Sequence, residues 1–209
     1  MTNHLNAIIL GIGNFPFFAV ICTLPILAFT IIKYRTINIV RIAMDYALVL
    51  YLCCLVSVVI FPLPSVEQAA ALNSHDIQLI PFHFIADFIR EPQFWVKKQV
   101  ILQVVCNVIM TMPIGMFLRY YYGTSKRKVI VISLVVSFLI ELTQLTGIYG
   151  IYKGSYRLCD MDDLIANTFG GYLGYRFIAS IEKVIPAITA FDVRLTRKGH
   201  SYHQGNASI

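Results

Sequence analysis

The chain has 209 residues, 57% of them hydrophobic and only 13% charged, with a mean hydropathy of +0.70. A soluble domain carries about 25% charged residues, so too few charges remain to cover a water-soluble surface and lipid must solvate most of the chain. The formal net charge of +6 could belong to a nucleic-acid footprint or to a membrane topology, and the position of the bases decides between them.

A helix crossing the roughly 30 Å hydrocarbon core needs about 20 mostly apolar residues. Five stretches meet that length, predicting an all-α polytopic membrane protein, a bundle of about five transmembrane helices. The first spans 7–32 and contains Gly11, Gly13, Pro16 and Pro25, which membrane helices tolerate and which predict a kink. Residues 1–6 carry no Lys or Arg, so a retained helix is expected rather than a cleaved signal peptide. The second spans 43–61, between Arg41 and Pro62; together these two form an N-terminal pair over 1–62.

The loop 63–98 is the longest connection. Its segment 77–85 is too short to cross, and is expected to lie on the interface or fold as a re-entrant lid, with Trp95 near the headgroups. His83 and Asp87 stand four apart, but one His with one Asp is a weak metal signal, so an interfacial or structural His is expected, with no metal and no other cofactor.

The remaining spans carry polar rows. In 99–118, Gln99, Gln103, Asn107 and Thr111 recur every four residues and Gly115 continues the row. In 129–148 the row is Ser133, Ser137 and Glu141, with Gln144 beyond; in 163–182 it is Asp163, Asn167 and Gly171. Residues four apart share a helix face, so three helices each offer one polar face to the others. Ala166, Gly170 and Gly174 form a small-residue row suited to close helix approach. The tail 183–209 is expected on the cytoplasmic side, with a polar, frayed end from 192.

With the N-terminus outside and the C-terminus inside, eleven of the 17 Lys and Arg residues fall in inner segments and Arg176 snorkels the same way, against five outside. That bias orients the chain N-out, C-in, and no nucleic-acid partner is expected. Cys22, Cys53, Cys54 and Cys106 lie in spans and only Cys159 in an outer loop, so no disulfide framework is expected.

Depth sharpens the site. Counted from the outer ends of these spans, Glu141 lies roughly 10 Å deep, Asn107 roughly 12 Å and Asn167 roughly 6 Å. The loop before the fifth span adds Arg157, Asp160, Asp162 and Asp163 at the same mouth. The expected ligand-binding site is a polar pocket open to the outer face, lined by Asn107, Glu141, Gln144, Arg157, Asp160, Asp163 and Asn167. An ionisable carboxyl in a span is costly unless protonated or paired, and Arg157 is the expected counter-ion of Glu141. The competing reading is structural: Ser133, Ser137, Gln99 and Gln103 as hydrogen-bonding glue between helices, and Asp163 with Asn167 as a helix N-terminus.

The chain resembles the VanZ-like family of small bacterial membrane proteins. The shared elements are Leu79-Ile80-Pro81-Phe82; Asn107 followed by Pro113-Ile114-Gly115; Ser137-x2-Ile140-Glu141-x2-Gln144; and Arg157-x2-Asp160-x-Asp162-Asp163-Leu164-Ile165-x-Asn167-Thr168-x-Gly170-Gly171-x2-Gly174-Tyr175. Gln78 and Thr111 depart from the family's usual Asn and aromatic. The resemblance covers about 77–178 and implies a VanZ-like domain over 77–182, in a multi-pass protein of the bacterial cytoplasmic membrane. The family's namesake is associated with lowered susceptibility to glycopeptide antibiotics, chiefly teicoplanin.

Teicoplanin-type molecules carry an acyl chain and act on cell-wall intermediates at the outer leaflet. The leading expectation is therefore a binding or shielding protein whose pocket takes a lipid-linked cell-wall component or the lipoglycopeptide itself. An enzyme acting on a lipid-linked glycan or phosphate is the alternative, with Glu141 and the cluster of Asp160, Asp162 and Asp163 as a general acid/base pair or as ligands of a divalent cation. A small transporter is third. The bilayer is the expected partner.

Overall fold

The structure, a computed structural model, describes residues 2–60, 77–151, 155 and 158–194. Arg157, the expected counter-ion, lies outside the described residues, as does 63–76 of the long loop. Five long helices dominate: α1 (Thr2–Tyr34), α2 (Ile39–Ile60), α4 (Phe94–Tyr122), α5 (Lys126–Leu145) and α6 (Met161–Ile181), with a short α3 (His83–Arg90) before α4. A one-turn helix (Gly147–Gly150), a 3-10 turn (Ile188–Phe191) and four two-residue strands complete the pattern: β1 (Thr36–Ile37), β2 (Ile77–Gln78), β3 (Cys159–Asp160) and β4 (Val193–Arg194).

Four helices, α1 from Leu5 together with α2, α4 and α5, are long and apolar enough to cross a membrane. The fifth expected span is α6, whose 21 residues reach about 31 Å but which Asp162, Asp163, Asn167 and Arg176 make less apolar than the other four, although Phe169 and Phe177 are exposed on it. Strand pairing shows that it nevertheless runs the length of the bundle. β2 pairs in parallel with β3 at its start, and β1 pairs antiparallel with β4 beyond its end. Its ends are thereby fixed beside the α1–α2 turn at one end and the α3 segment at the other.

α6 packs between α4 and α5, while α1 and α2 form a hairpin joined to this core mainly through α2 and α4. Glycines make the central packing possible. A Cβ on Gly115 would collide with the Gly171 carbonyl, one on Gly170 with the Val108 carbonyl, and one on Gly174 with the Met112 carbonyl. The opposite side of α6 is as tight, for a Cβ on Gly171 would meet the Ser133 hydroxyl. The small-residue row thus packs α6 against α4, and Gly171 against α5.

The interior is polar and the exterior apolar, as in a protein solvated by lipid. Thr111, Ser133, Ser137, Glu141 and Asn167 are buried, whereas Val20, Leu24 and Phe17 of α1 are 75%, 77% and 67% exposed. α1 continues through Pro16 and Pro25 as one helix.

Two sequence expectations change at the end of the bundle that holds the α1–α2 turn. Arg41, expected as a boundary base just before the second span, lies within α2 and is 3% exposed. Its Nε stands 3.2 Å from Asp192 Oδ1, and its guanidinium lies 4.0 Å from the Tyr34 ring centroid. Asn38 begins α2 by accepting from Arg41 N, and donates to Asp192 Oδ1 at 2.6 Å and the Ile188 carbonyl at 2.8 Å. The tail is therefore tied down as far as Arg194 rather than fraying from 192. Asp192→Ala should cost about 2–4 kcal/mol, because it leaves Arg41 buried without its carboxylate. Reversible unfolding in mixed micelles measures this; an unchanged midpoint would show that the ion pair contributes nothing.

Candidate functional site

The polar rows meet at the end of the bundle where α6 begins. Asp160 is the N-cap of α6, and its Oδ1 accepts from Asp162 N at 2.8 Å, satisfying a donor that the first helical turn leaves free. The next two carboxylates are about 100° apart around the helix and therefore face different neighbours. Asp163 faces α4: Asn107 Nδ2 donates to its Oδ1 at 2.6 Å, and Gln103 Nε2 lies 3.3 and 3.4 Å from its two oxygens. Asp162 faces α3, where it accepts from Phe82 N and, at 2.8 Å, from Phe84 N. Phe82 sits at φ 63°, a left-handed conformation uncommon for a bulky residue, and the Asp162 carboxylate holds it there.

Glu141 approaches from α5. It is 4% exposed, and its Oε2 accepts from Asp160 N at 3.2 Å. Below it, Ser137 accepts from Asn167 Nδ2 at 3.1 Å, and Thr111 donates to the Asn167 carbonyl at 2.8 Å. Asn167 Oδ1 and the Ser133 hydroxyl are buried with no partner among the described residues. Gln144 is also buried, and its carbonyl accepts from Ser155.

The expected residues therefore separate into two layers. Asn107, Asp160 and Asp163 are half-buried, with exposed Gln103 beside them, and form an edge open to the surroundings. Glu141, Gln144 and Asn167 form a closed floor. Asn167 joins three helices by hydrogen bonds, the interhelical role expected of Ser133, Ser137, Gln99 and Gln103 rather than the helix N-terminus expected of Asn167, which lies six residues inside α6.

Depths shift with the helix ends. α5 stops at Leu145 rather than 148, because the Thr146 side chain accepts from Tyr149 N and Gly147, Ile148 and Tyr149 all take positive φ. Glu141 thus lies only about 6 Å from its helix end, while α4 begins early at Phe94 and places Asn107 about 20 Å along its axis.

Asp162 is the residue that sequence reasoning passed over in choosing the pocket lining. Its signal was present in the Asp-x-Asp-Asp spacing, but which neighbour each carboxylate meets depends on the fold. In the segment 77–85, β2 pairs with β3, and Gln78 Nε2 donates to the Ile80 carbonyl at 2.7 Å and lies 3.5 Å from Asp160. His83 and Asp87 meet at 3.1 Å, and no group of three metal-ligating residues occurs among the described residues.

Burial pushes the Asp160 carboxyl above the usual carboxylate range, offset in part by its bond from Asp162 N. Cys159 is raised for the same reason, with the Glu141 charge adding to it. Only the thiolate reacts with maleimides, so a membrane-impermeant maleimide should label Cys159 slowly at pH 7 and faster as pH rises past 9. In a background without the other cysteines, outside-only labelling supports the N-out topology. Labelling from inside alone would overturn it.

Comparison with family models matches one described as VanZ/LLP1, over residues 48–182. The comparisons with curated proteins and with solved structures give no match.

Proposed function

This chain belongs to the VanZ/LLP1 family, and from that premise we propose that it binds an amphiphile at the outer face of the bacterial cytoplasmic membrane and so lowers susceptibility to teicoplanin-type glycopeptides. The amphiphile is a lipid-linked cell-wall component or the lipoglycopeptide itself. The excess of Lys and Arg in the α1–α2 and α4–α5 connections and beyond α6 supports the orientation, with the N-terminus outside and the C-terminus inside.

The observation that carries this reading is the open edge of Gln103, Asn107, Asp160 and Asp163, where amide donors on α4 face carboxylate acceptors at the start of α6. Donors and acceptors side by side suit a head rich in hydroxyl and amide groups, while an acyl chain stays in the bilayer. On binding, Asp163 exchanges its amide partners for ligand O–H or N–H groups. Asn107 and Gln103 then donate to ligand carbonyls or phosphate oxygens. Charge-assisted hydrogen bonds of this kind are the strong ones. Glu141 supports the edge from behind by fixing Asp160 N, and Arg157, adjacent in sequence, is the proposed partner for an anionic group.

Cells carrying Asp163→Asn or Glu141→Gln at wild-type membrane abundance test the proposal. Teicoplanin susceptibility should rise to that of the deletion strain in each. Unchanged susceptibility in both variants would sink the reading.

The same carboxylates support an enzymatic reading, because Asp160, whose carboxyl burial shifts above the usual range, stands beside Glu141, two carboxyl groups placed to divide the acid and base roles. Here a lipid-linked glycan or phosphate is the substrate, with Asp163 orienting it. A lipid-intermediate profile that changes with Asp160→Asn favours the enzyme; saturable binding of an unaltered ligand favours the binding protein.

A further inference from the structure

A second concave surface lies on a different face of α4 from the polar row. It is a groove of about 350 Å³ between Phe88 of α3 and Phe94, Ile101, Leu102 and Val105 of α4, with Lys97 and Lys98 as its polar lining among the described residues. Positions 94, 98, 101, 102 and 105 share one helical stripe, rotated away from Gln103 and Asn107. The lining is almost wholly hydrocarbon below the lysines. Val105 stands about 12 Å further along the axis than Lys97.

Both ammonium groups rest on aromatic rings, Lys97 Nζ 5.2 Å from the Phe88 centroid and Lys98 Nζ 5.7 Å from that of Trp95. Neither has a carboxylate within ion-pairing distance among the described residues. Trp95 and the two lysines mark the level at which α4 enters the bilayer, as amphipathic aromatic and basic anchors do. The groove therefore presents a doubly cationic rim above an apolar trough, complementary to a lipid with an anionic phosphate and an acyl chain.

We infer that this groove is a binding site for an anionic phospholipid, whose phosphate lies at Lys97 and Lys98 and whose chain follows Ile101, Leu102 and Val105. A zwitterionic lipid brings its own amine to the phosphate and leaves the rim uncompensated, so the site selects for headgroups without one. The bound lipid also wedges α3 against α4, the helix whose start Asp162 holds. This inference stands whichever ligand the polar edge takes.

The test uses the purified full-length protein in a zwitterionic detergent, titrated with phosphatidylglycerol or phosphatidylcholine of identical chains and read by native mass spectrometry. With two lysines beside the phosphate, phosphatidylglycerol should be retained about 10-fold or more over phosphatidylcholine. Lys97→Gln with Lys98→Gln should erase that preference. Ile101→Trp, which fills the trough but keeps both charges, should reduce retention of both lipids. Equal retention of the two lipids by the wild type, which needs no variant at all, would overturn the inference. So would an unaltered preference in the double lysine variant, unaltered retention in Ile101→Trp, or displacement of the lipid by millimolar inorganic phosphate, which would indicate a free-anion site.

Discussion

Gly115→Ala is expected to lower the stability of the bundle by about 2–3 kcal/mol, the upper part of the range for overpacking a tight core. The added Cβ would overlap the Gly171 carbonyl, and its next neighbours are the Gly171 carbonyl carbon and Tyr175 N. All three are backbone atoms of α6, so no side chain can rotate away. Relief requires α4 and α6 to separate, and separation stretches the bonds from Thr111 to the Asn167 carbonyl and from Asn107 to Asp163. Gly174→Ala should behave alike, meeting the Met112 carbonyl. Gly13→Ala is the control: nothing lies within 4 Å of its Cβ, and helix propensity alone should leave stability equal or raised by about 0.5–1 kcal/mol. Unfolding in mixed micelles, followed by circular dichroism, separates the three variants. Equal midpoints for Gly13→Ala and Gly115→Ala would contradict the packing described for α6.

Asp162→Ala carries the second large effect, about 3 kcal/mol, mostly local. One carboxylate holds two backbone N–H groups, those of Phe82 and Phe84, and bonds to a charged acceptor contribute about 1.5–3 kcal/mol each. Without the acceptor, Phe82 loses the contact that offsets its left-handed backbone, and the start of α3 opens. Hydrogen exchange at 82–84 should speed by at least about 10-fold, equivalent to about 1.4 kcal/mol of local opening. Exchange in α5 should stay unchanged. Asp162→Asn keeps one acceptor oxygen and should fall between. Unchanged exchange at 82–84 in Asp162→Ala would remove Asp162 from its role as the clamp on this segment.

These two variants also mark what the sequence makes legible. The rows at four-residue spacing, Gln103–Asn107–Thr111 and Ser133–Ser137–Glu141, were readable because polar side chains in a span must meet one another, and α6 does bring Asp163 and Asn167 to them. The row Ala166–Gly170–Gly174 was readable as a packing face for the same reason. By contrast, α5 ends early at Leu145 through backbone conformations at Gly147, Ile148 and Tyr149, while the apolar residues Ile148 and Ile151 continue past them and conceal the stop. The latch between Arg41 and Asp192 joins residues 151 positions apart. Arg41 looks like an ordinary boundary base until α6 carries Asp192 back to it. Asp162 was hidden differently, since its neighbour Asp163 has the same chemistry and only the direction each side chain takes distinguishes a clamp from an open edge.

The central claim is that the edge formed by Asn107, Asp160 and Asp163 receives the polar head of an amphiphile. Its most direct test is saturable binding of fluorescent teicoplanin, and separately of a purified lipid-linked cell-wall intermediate, to the protein in nanodiscs. The account predicts that one of the two binds saturably, and that Asp163→Asn weakens it at least about 10-fold, equivalent to about 1.4 kcal/mol, with the unfolding midpoint near that of the wild type. Binding of neither ligand, or equal affinity in wild type and Asp163→Asn, would contradict it.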